Sequence, residues 1–270
     1  MIFFRCPVCG KALSDGEKEC RCKNNHSFDK ARSGYLNLLL SGASHGHGDD
    51  KIMLKSRRAF LEKGYYLPLA KAVCEEVIPR LPENGAVLDA GCGEGYYLRV
   101  LQKELADQKK NAALFGVDVS KTAADLSAKS LRGFFAAASV YALPFPDASF
   151  DAVLSLFSPH APREFYRVLK PGALLYRAYP LREHLLGLKE ALYENVILKE
   201  ENETVDPGFE PVLRREVKNR IDLKTNGEIM DLFSMTPYFH KTSPEDRKKL
   251  ETLSRLSTPV AFGITIWKKV

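Results

Sequence analysis

The middle of the chain alternates between two hydrophobic periods. Short apolar runs, typical of buried strands, are separated by stretches in which apolar residues recur every three or four positions, as on one face of a helix. They predict strands at residues 87–90, 112–119, 133–138, 150–156 and 173–178, with helices at 97–105, 121–131 and 163–169. The sequence KPG is predicted to end the last of these helices. Strands and helices that alternate in this way form a parallel, doubly wound α/β sheet.

The flanking regions extend this pattern. Residues 51–62 and 67–81 have helical spacing, whereas residues 260–267 alternate as in a strand and residues 212–223 indicate another strand. We therefore predict a mostly parallel, seven-stranded sheet. It is preceded by a helical linker at residues 35–82.

The first predicted strand runs into the sequence VLDAGCGEGYY, which indicates a tight glycine loop before a helix. Gly91, Gly93 and Gly95 would let backbone N–H groups approach a cofactor closely. The spacing differs from the dinucleotide fingerprint G-x-G-x-x-G. The acids Asp89 and Glu94 would repel a pyrophosphate and attract a cation. S-adenosylmethionine carries an ammonium and a sulfonium, so the loop predicts that cofactor.

Two further segments are expected at the same edge of the sheet. Asp118 ends the second strand, where its carboxylate could accept the ribose hydroxyls; the alternative is a helix N-cap formed with Ser120. Ser139 and Leu143 follow the third strand, where the adenine would lie. Leu143, Pro144 and Phe145 would supply an apolar wall, and either backbone groups or Ser139 would make the polar contacts.

Four cysteines cluster before residue 23. Cys6 and Cys9 form a C-x2-C knuckle, and a second pair is either Cys22 with His26 or Cys20 with Cys22. Two chelating pairs about a dozen residues apart suit a tetrahedral zinc ion. Four protein ligands leave no open coordination position, so we predict a structural zinc ion.

The chain has 270 residues and a formal net charge of +6. It contains no apolar run of the roughly 20 residues that a membrane-spanning helix needs. We therefore expect a cytoplasmic protein with no membrane partner. Eleven basic and six acidic residues lie within residues 1–60, which favours an anionic partner such as nucleic acid. Basic side chains available for phosphates are Lys11, Lys23, Lys30 and Arg32, with Arg57 and Arg58 as either phosphate ligands or part of a solvated helix face.

Several motifs resemble known families. VLDAGCGEGYY, GVDVS and RVLKPG are similar to segments of class I S-adenosylmethionine-dependent methyltransferases. With the spacing C-x2-C-x12-C-x3-H and the segments GYLNLL, SRRAFLEKGYYLPL, REHL and MTPY, the whole chain resembles the RlmA-type bacterial 23S rRNA (guanine-N1)-methyltransferases.

This resemblance implies an enzyme that methylates N1 of a guanine in a hairpin loop of 23S rRNA domain II. Residues 1–34 would form a zinc-binding module that recognises the RNA, and residues 83–270 the methyltransferase domain. It implies that His26 is the fourth zinc ligand. It also implies cofactor contacts at Tyr66 in the linker, Gly93, Glu94 and His184. Some members of the family confer macrolide-class resistance.

Guanine N1 must lose a proton during methylation, and His160 is a candidate acceptor because it follows the fourth strand. A surface or structural role is the alternative for His160. Phe157 could stack on the base. A homodimer would provide a cleft wide enough for the RNA hairpin. The competing functions are a quinone- or sterol-type small-molecule methyltransferase with a structural zinc module, and a non-catalytic nucleic-acid-binding protein.

Overall fold

The computed structural model describes residues 4–40, 50–196, 198 and 205–270. The segment 45–49, whose histidines we interpret as part of a loop, lies outside the described residues. In chain order the strands are β1 (Leu13–Ser14), β2 (Glu19–Cys22), β3 (Ser27–Asp29), β4 (Leu36–Asn37), β5 (Gly85–Ala90), β6 (Ala112–Asp118), β7 (Phe134–Ala137), β8 (Phe150–Leu156), β9 (Leu169–Pro180), β10 (Phe209–Leu223) and β11 (Leu256–Lys269).

The predicted doubly wound sheet is confirmed. Its strands lie in the order β10-β11-β9-β8-β5-β6-β7-β4, with β11 antiparallel to β9 and β10 and the remaining pairs parallel. The prediction of seven strands is wrong, because eight strands form this sheet among the described residues. The additional strand is β4, which pairs with β7 through Leu36 and Ala136. Two residues are too few to produce a periodic signal, and their pairing depends on the distant strand β7, where Leu36 is buried.

The helices are α1 (Lys51–Glu62), α2 (Leu67–Val77), α3 (Tyr96–Asp107), α4 (Lys121–Ser130), α5 (Pro162–Val168), α6 (Leu186–Leu192), α7 (Asn226–Ser234) and α8 (Pro244–Glu251). The helix predicted at 67–81 ends at Val77 and continues as a 3₁₀ turn through Ile78–Arg80, since Pro79 has no N–H to donate. The KPG sequence does not close α5. It lies inside β9, where Gly172 adopts a φ of +75° beside an irregular register with β8. None of the described helices is long and apolar enough to cross a bilayer.

Successive residues of β5 face two apolar cores on opposite sides of the sheet. Val87 lies in the core under α2, α3 and α7, and Leu88 lies in the other core. That second core also contains Leu13 from the N-terminal module, Leu36 from β4, and Phe145. The N-terminal module therefore shares a core with the α/β sheet instead of forming one by itself.

Candidate cofactor and zinc sites

The glycine loop joins β5 to α3 and requires its glycines. Gly91, Gly93 and Gly95 have φ angles of +89°, +54° and +82°, where other residues are strained. A Cβ atom on Gly91 would lie 2.4 Å from the Cβ of Ser158. A Cβ atom on Gly93 would meet no heavy atom within 4 Å. Gly91 thus permits close packing, whereas Gly93 borders open space that a ligand can use.

Asp89 lies at the carboxyl end of β5, and its side chain has no hydrogen-bond partner in the part of the chain that the structure describes. It is 1% exposed, and neither carboxylate oxygen has a hydrogen-bond partner among the described residues. Burial, followed by the charge of Asp118, raises the pKa of Asp89 to about 8. An unpaired buried carboxylate is costly, and a cationic ligand would offset that cost. The ammonium of S-adenosylmethionine fits this requirement.

Asp118 fixes the glycine loop to the end of β6. Its Oδ2 accepts a hydrogen bond from the N–H of Gly93 at 2.9 Å, and its Oδ1 accepts one from Ser120 at 2.8 Å. The N-cap residue of α4 is Ser120, whose hydroxyl accepts from the N–H of Ala123. The N-cap alternative for Asp118 is therefore wrong, and its carboxylate lies beside the cofactor loop.

The segment after β7 is held by hydrogen bonds. The Ser139 hydroxyl accepts from the N–H of Tyr141 at 3.2 Å, and Leu143 is 4% exposed. The N–H of Leu143 donates to Glu164 at 2.6 Å, while Arg167 donates to the carbonyl oxygens of Leu143 and Phe145 at 2.8 and 2.7 Å. These contacts give the apolar wall predicted for adenine a fixed backbone.

Tyr66 and His184 are 118 residues apart, yet the Tyr66 hydroxyl lies 3.3 Å from His184 Nε2. The N–H of Ala261 donates to His184 Nδ1 at 3.2 Å. Burial lowers the pKa of His184 to about 3, so the ring is neutral and carries its proton on Nε2. His184 then donates to Tyr66, which leaves the Tyr66 hydroxyl proton for another acceptor. The structure brings together two residues that only the family resemblance connected.

Glu94 is buried between two arginines. It is 2% exposed, and its carboxylate lies 3.3 Å from Arg99 and 3.5 Å from Arg58. Burial raises the pKa of Glu94, and the nearby Arg99 opposes that shift. Arg58 also pairs with Glu62 at 2.8 Å. Sequence analysis missed the role of both arginines, since a pair of basic residues on a helix gives no signal for a buried acid elsewhere.

The loop after β8 carries both residues considered for the guanine. Phe157 has a φ of +59° and is 44% exposed, with its ring 6.3 Å from that of Tyr97. A strained and exposed aromatic residue is typical of a functional site. His160 Nε2 lies 2.6 Å from a carboxylate oxygen of Asp206, a partner that the sequence did not indicate. The other ring nitrogen, Nδ1, is buried without a partner among the described residues.

The N-terminal module brings together Cys6, Cys9, Cys22 and His26, whose ligand atoms all lie within 4.8 Å of one another. His26 Nδ1 is 3.5 Å from the Cys6 sulfur and 3.4 Å from the Cys22 sulfur. The sulfurs of Cys9 and Cys22 are 3.6 Å apart. Zinc bonds of about 2.3 Å to sulfur and about 2.0 Å to nitrogen place tetrahedral ligands about 3.5 to 3.8 Å apart. The four donors therefore fit a zinc ion.

Cys20 lies outside this cluster, with its thiol 3.8 Å from Asp15. Burial opposes ionisation of Cys22, but N–H donors of His26 and Asn24 lower its pKa to about 6. A thiolate is the form that binds zinc, so this environment suits a metal ligand.

The basic side chains of the module differ in their partners. Lys11 donates to Asn24 and Lys30 pairs with Asp15. Lys23 and Arg32 are exposed and form no ion pair with the part of the chain that the structure describes. Of the four predicted cations, these two are the most available to an anionic partner.

Comparisons with known proteins agree with this geometry. The family profile of the RlmA N-terminal zinc ribbon matches residues 4–41, and that of a methyltransferase domain matches residues 87–172. A protein of Micromonospora griseorubida, named for methylation of guanine N1 in 23S rRNA, is 32% identical over 97% of this chain and 95% of its own length. The 23S rRNA (guanine(748)-N(1))-methyltransferase of Streptomyces fradiae is 34% identical over 70% of this chain and 68% of its own.

A more limited similarity concerns small-molecule chemistry. The 2-methyl-6-phytyl-1,4-hydroquinone methyltransferase of Synechocystis is 37% identical, but over 35% of this chain and 32% of its own length. The ribosomal RNA enzymes match a much larger part of the chain.

Proposed function

The chain belongs to the family of 23S rRNA (guanine-N1)-methyltransferases, and from that premise we propose that it methylates N1 of a guanine in a hairpin loop of domain II of 23S rRNA. The observation that carries the proposal is the buried, unpartnered carboxylate of Asp89 beside a glycine loop, in a chain that also has a zinc ribbon. The first feature suits the methyl donor, and the second distinguishes this chain from general small-molecule methyltransferases.

The positions of the side chains support a set of proposed cofactor contacts. Asp89 holds the ammonium group, and Asp118 accepts the ribose hydroxyls. The adenine lies against Leu143 with Ser139 beside it. The remaining contacts are the backbone of Gly91 and Gly93, the Glu94 carboxylate, and Tyr66 with His184, which close the pocket from the linker and from the segment after β9. Zinc is held by Cys6, Cys9, Cys22 and His26, and the exposed Lys23 and Arg32 of the same module contact RNA phosphates.

The main requirement of the reaction is that the methyl donor and guanine N1 are held in line. When bound, S-adenosylmethionine supplies a methyl group activated by its sulfonium, and this group passes to guanine N1 as the N1 proton leaves. Holding donor and acceptor in line supplies much of the acceleration. Guanine N1 lies on the Watson–Crick edge, so the base must be unpaired or flipped out to be reached.

Phe157 is positioned to stack on the flipped guanine. We expect Phe157→Ala to lower kcat/KM for RNA about 10- to 100-fold, because base–aromatic stacking is lost. The dissociation constant for S-adenosylhomocysteine stays unchanged. Phe157→Tyr keeps the stacking surface and most of the activity. Phe134→Ala is a matched control, since Phe134 is 48% exposed on β7. Equal loss in Phe134→Ala would show that the effect is not one of stacking at this loop.

His160 is the proposed acceptor of the N1 proton. The Asp206 carboxylate holds Nε2, which leaves Nδ1 as the basic nitrogen. Because Nδ1 is buried, the proposal requires the loop after β8 to shift when RNA binds. We expect His160→Gln to lower the single-turnover rate constant of methyl transfer about a hundredfold without changing cofactor affinity. An unchanged rate constant would show that another group accepts the N1 proton.

The proposed function is tested with labelled cofactor and total ribosomal RNA from a strain that lacks this gene. We expect label in 23S rRNA and a reverse-transcriptase stop at one guanine of the domain II hairpin, since N1 methylation blocks pairing. RNA without label would contradict the proposal. Label in a lipid extract from the same cells would instead support the quinone-type alternative.

A further inference from the structure

The N-terminal module packs directly on the segment proposed to hold adenine. The backbone N–H of Arg5 donates to the carbonyl oxygen of Pro144 at 2.7 Å. The ring of Phe4 lies 5.1 Å from that of Phe145, which is fully buried. Pro144 and Phe145 directly follow Leu143. The two parts of the molecule therefore meet at the wall of the proposed cofactor pocket.

The Arg5 side chain contacts both parts at once. Its Nε donates to the carbonyl oxygen of Gly10 at 2.7 Å, and its Nη1 lies 3.3 Å from Asp147 Oδ1. Gly10 closes the zinc knuckle, where its N–H donates to the carbonyl oxygen of Cys6 at 2.8 Å. A Cβ atom on Gly10 would lie 3.1 Å from the Arg5 guanidinium, so the glycine also permits this close approach. One guanidinium thus links the knuckle to Asp147.

Asp147 is in turn connected to the backbone of the adenine segment. Arg167 donates to Asp147 at 2.9 Å and to the carbonyl oxygens of Leu143 and Phe145. Glu164 accepts from Arg167 and from the N–H of Leu143. The segment is therefore held from the α5 side by Arg167 and Glu164 and from the zinc side by Arg5.

We propose that Arg5 is a positioning residue that couples the zinc knuckle to the adenine wall, so that an ordered knuckle raises affinity for the cofactor. The inference rests on the proposed placement of adenine beside Leu143. A segment that loses one of its anchors samples more conformations, and binding must then restore the order that Arg5 now provides. In this scheme the zinc module acts on the cofactor as well as on RNA.

The test measures the dissociation constants of S-adenosylhomocysteine and methylthioadenosine by calorimetry on the zinc-loaded full chain, without RNA. We expect Arg5→Ala to weaken both ligands about threefold, because it removes a partly exposed ion pair at 3.3 Å and the contact to Gly10. Turnover at saturating cofactor is retained, so KM for the cofactor rises while kcat does not fall. Arg21→Ala is the matched control, because Arg21 is exposed and pairs with Glu19 inside the module.

Asp147→Ala provides a second variant that leaves the Arg5–Gly10 contact in place. It should weaken both ligands, and the losses in Arg5→Ala/Asp147→Ala should be less than additive. If Arg5→Ala loses zinc, its affinity cannot be interpreted, and the affinity of Asp147→Ala then tests whether the link between Arg5 and Asp147 strengthens cofactor binding. Affinities within about twofold of the native protein in the folded variants would overturn the inference. Native protein that fails to bind S-adenosylhomocysteine would instead contradict the proposed function.

Discussion

Asp89→Asn should bind S-adenosylmethionine about a hundredfold more weakly than the native protein, because it removes the charge that faces the ammonium. No described residue forms a hydrogen bond with this carboxylate, so it is available to the ligand. Calorimetry with S-adenosylmethionine at pH 8 measures the difference. Asp107→Asn, which removes an exposed carboxylate at the end of α3, is the control and should bind normally. If Asp89→Asn binds S-adenosylmethionine as tightly as the native protein, Asp89 does not hold the ammonium group and the main support for the proposed function is lost.

The same substitution should abolish a pH dependence of binding. Since the pKa of Asp89 is raised to about 8, the carboxyl is largely protonated near neutrality, and binding a cation must release that proton. Native affinity should therefore increase as the pH rises from about 6 to about 8, by up to tenfold per pH unit. Asp89→Asn should show no such slope. A native affinity that is independent of pH would contradict a protonated Asp89 in the free protein.

Whereas cofactor affinity should increase with pH, the free energy of unfolding of the cofactor-free protein should decrease. The unfolded carboxyl has a pKa near 3.8 and the folded one near 8, so over that range the folded state holds the proton and the unfolded state does not. The free energy of unfolding of the cofactor-free protein therefore falls as the pH rises through this window. Asn cannot ionise, so the free energy of unfolding of Asp89→Asn should not show this decrease. The difference in stability between Asp89→Asn and the native protein should therefore shift in favour of the variant between pH 5 and pH 8. Urea unfolding at the two pH values measures it.

The elements that could be predicted from the sequence are those marked by a pattern in their own residues. The strands β5 to β8 follow from apolar runs, and the glycine loop with Asp89 follows from its own motif. β4 was missed because its pairing is decided by a distant strand, and KPG was misplaced because a bulge inside β9 depends on the register with β8. Strand pairing and register depend on residues that are distant in the sequence, so a local pattern does not predict them.

The same distinction applies to the site. Tyr66 and His184 meet across 118 residues, and no spacing rule predicts such a pair. The resemblance named both residues, and the structure adds the tautomer that leaves the Tyr66 proton available. The link from Arg5 to Asp147 had no signal, because an arginine before a zinc knuckle resembles any solvated cation.

Cys22→Ser should lose zinc and destabilise the whole protein by about 5 kcal/mol, a part of the free energy with which structural zinc is bound. The loss should not stay in the module, because Cys22, Leu13 and Leu36 belong to the same buried core as Phe145. The single tryptophan, Trp267, is 2% exposed and lies in that core, so its fluorescence reports on the methyltransferase part. We expect the urea midpoint of this signal to fall in Cys22→Ser and in protein stripped of zinc by a chelator.

Cys20→Ser is the matched control, since Cys20 is as buried as Cys22 but lies beside Asp15 instead of the other donors. It should keep one zinc ion per chain in a colorimetric assay, whereas Cys22→Ser should keep none. Loss of zinc in Cys20→Ser with retention in His26→Ala would make Cys20, and not His26, the fourth ligand. A Trp267 midpoint unchanged by zinc removal would show that the shared core does not transmit the stability of the zinc module. In that case the zinc module and the methyltransferase domain fold independently despite their packing.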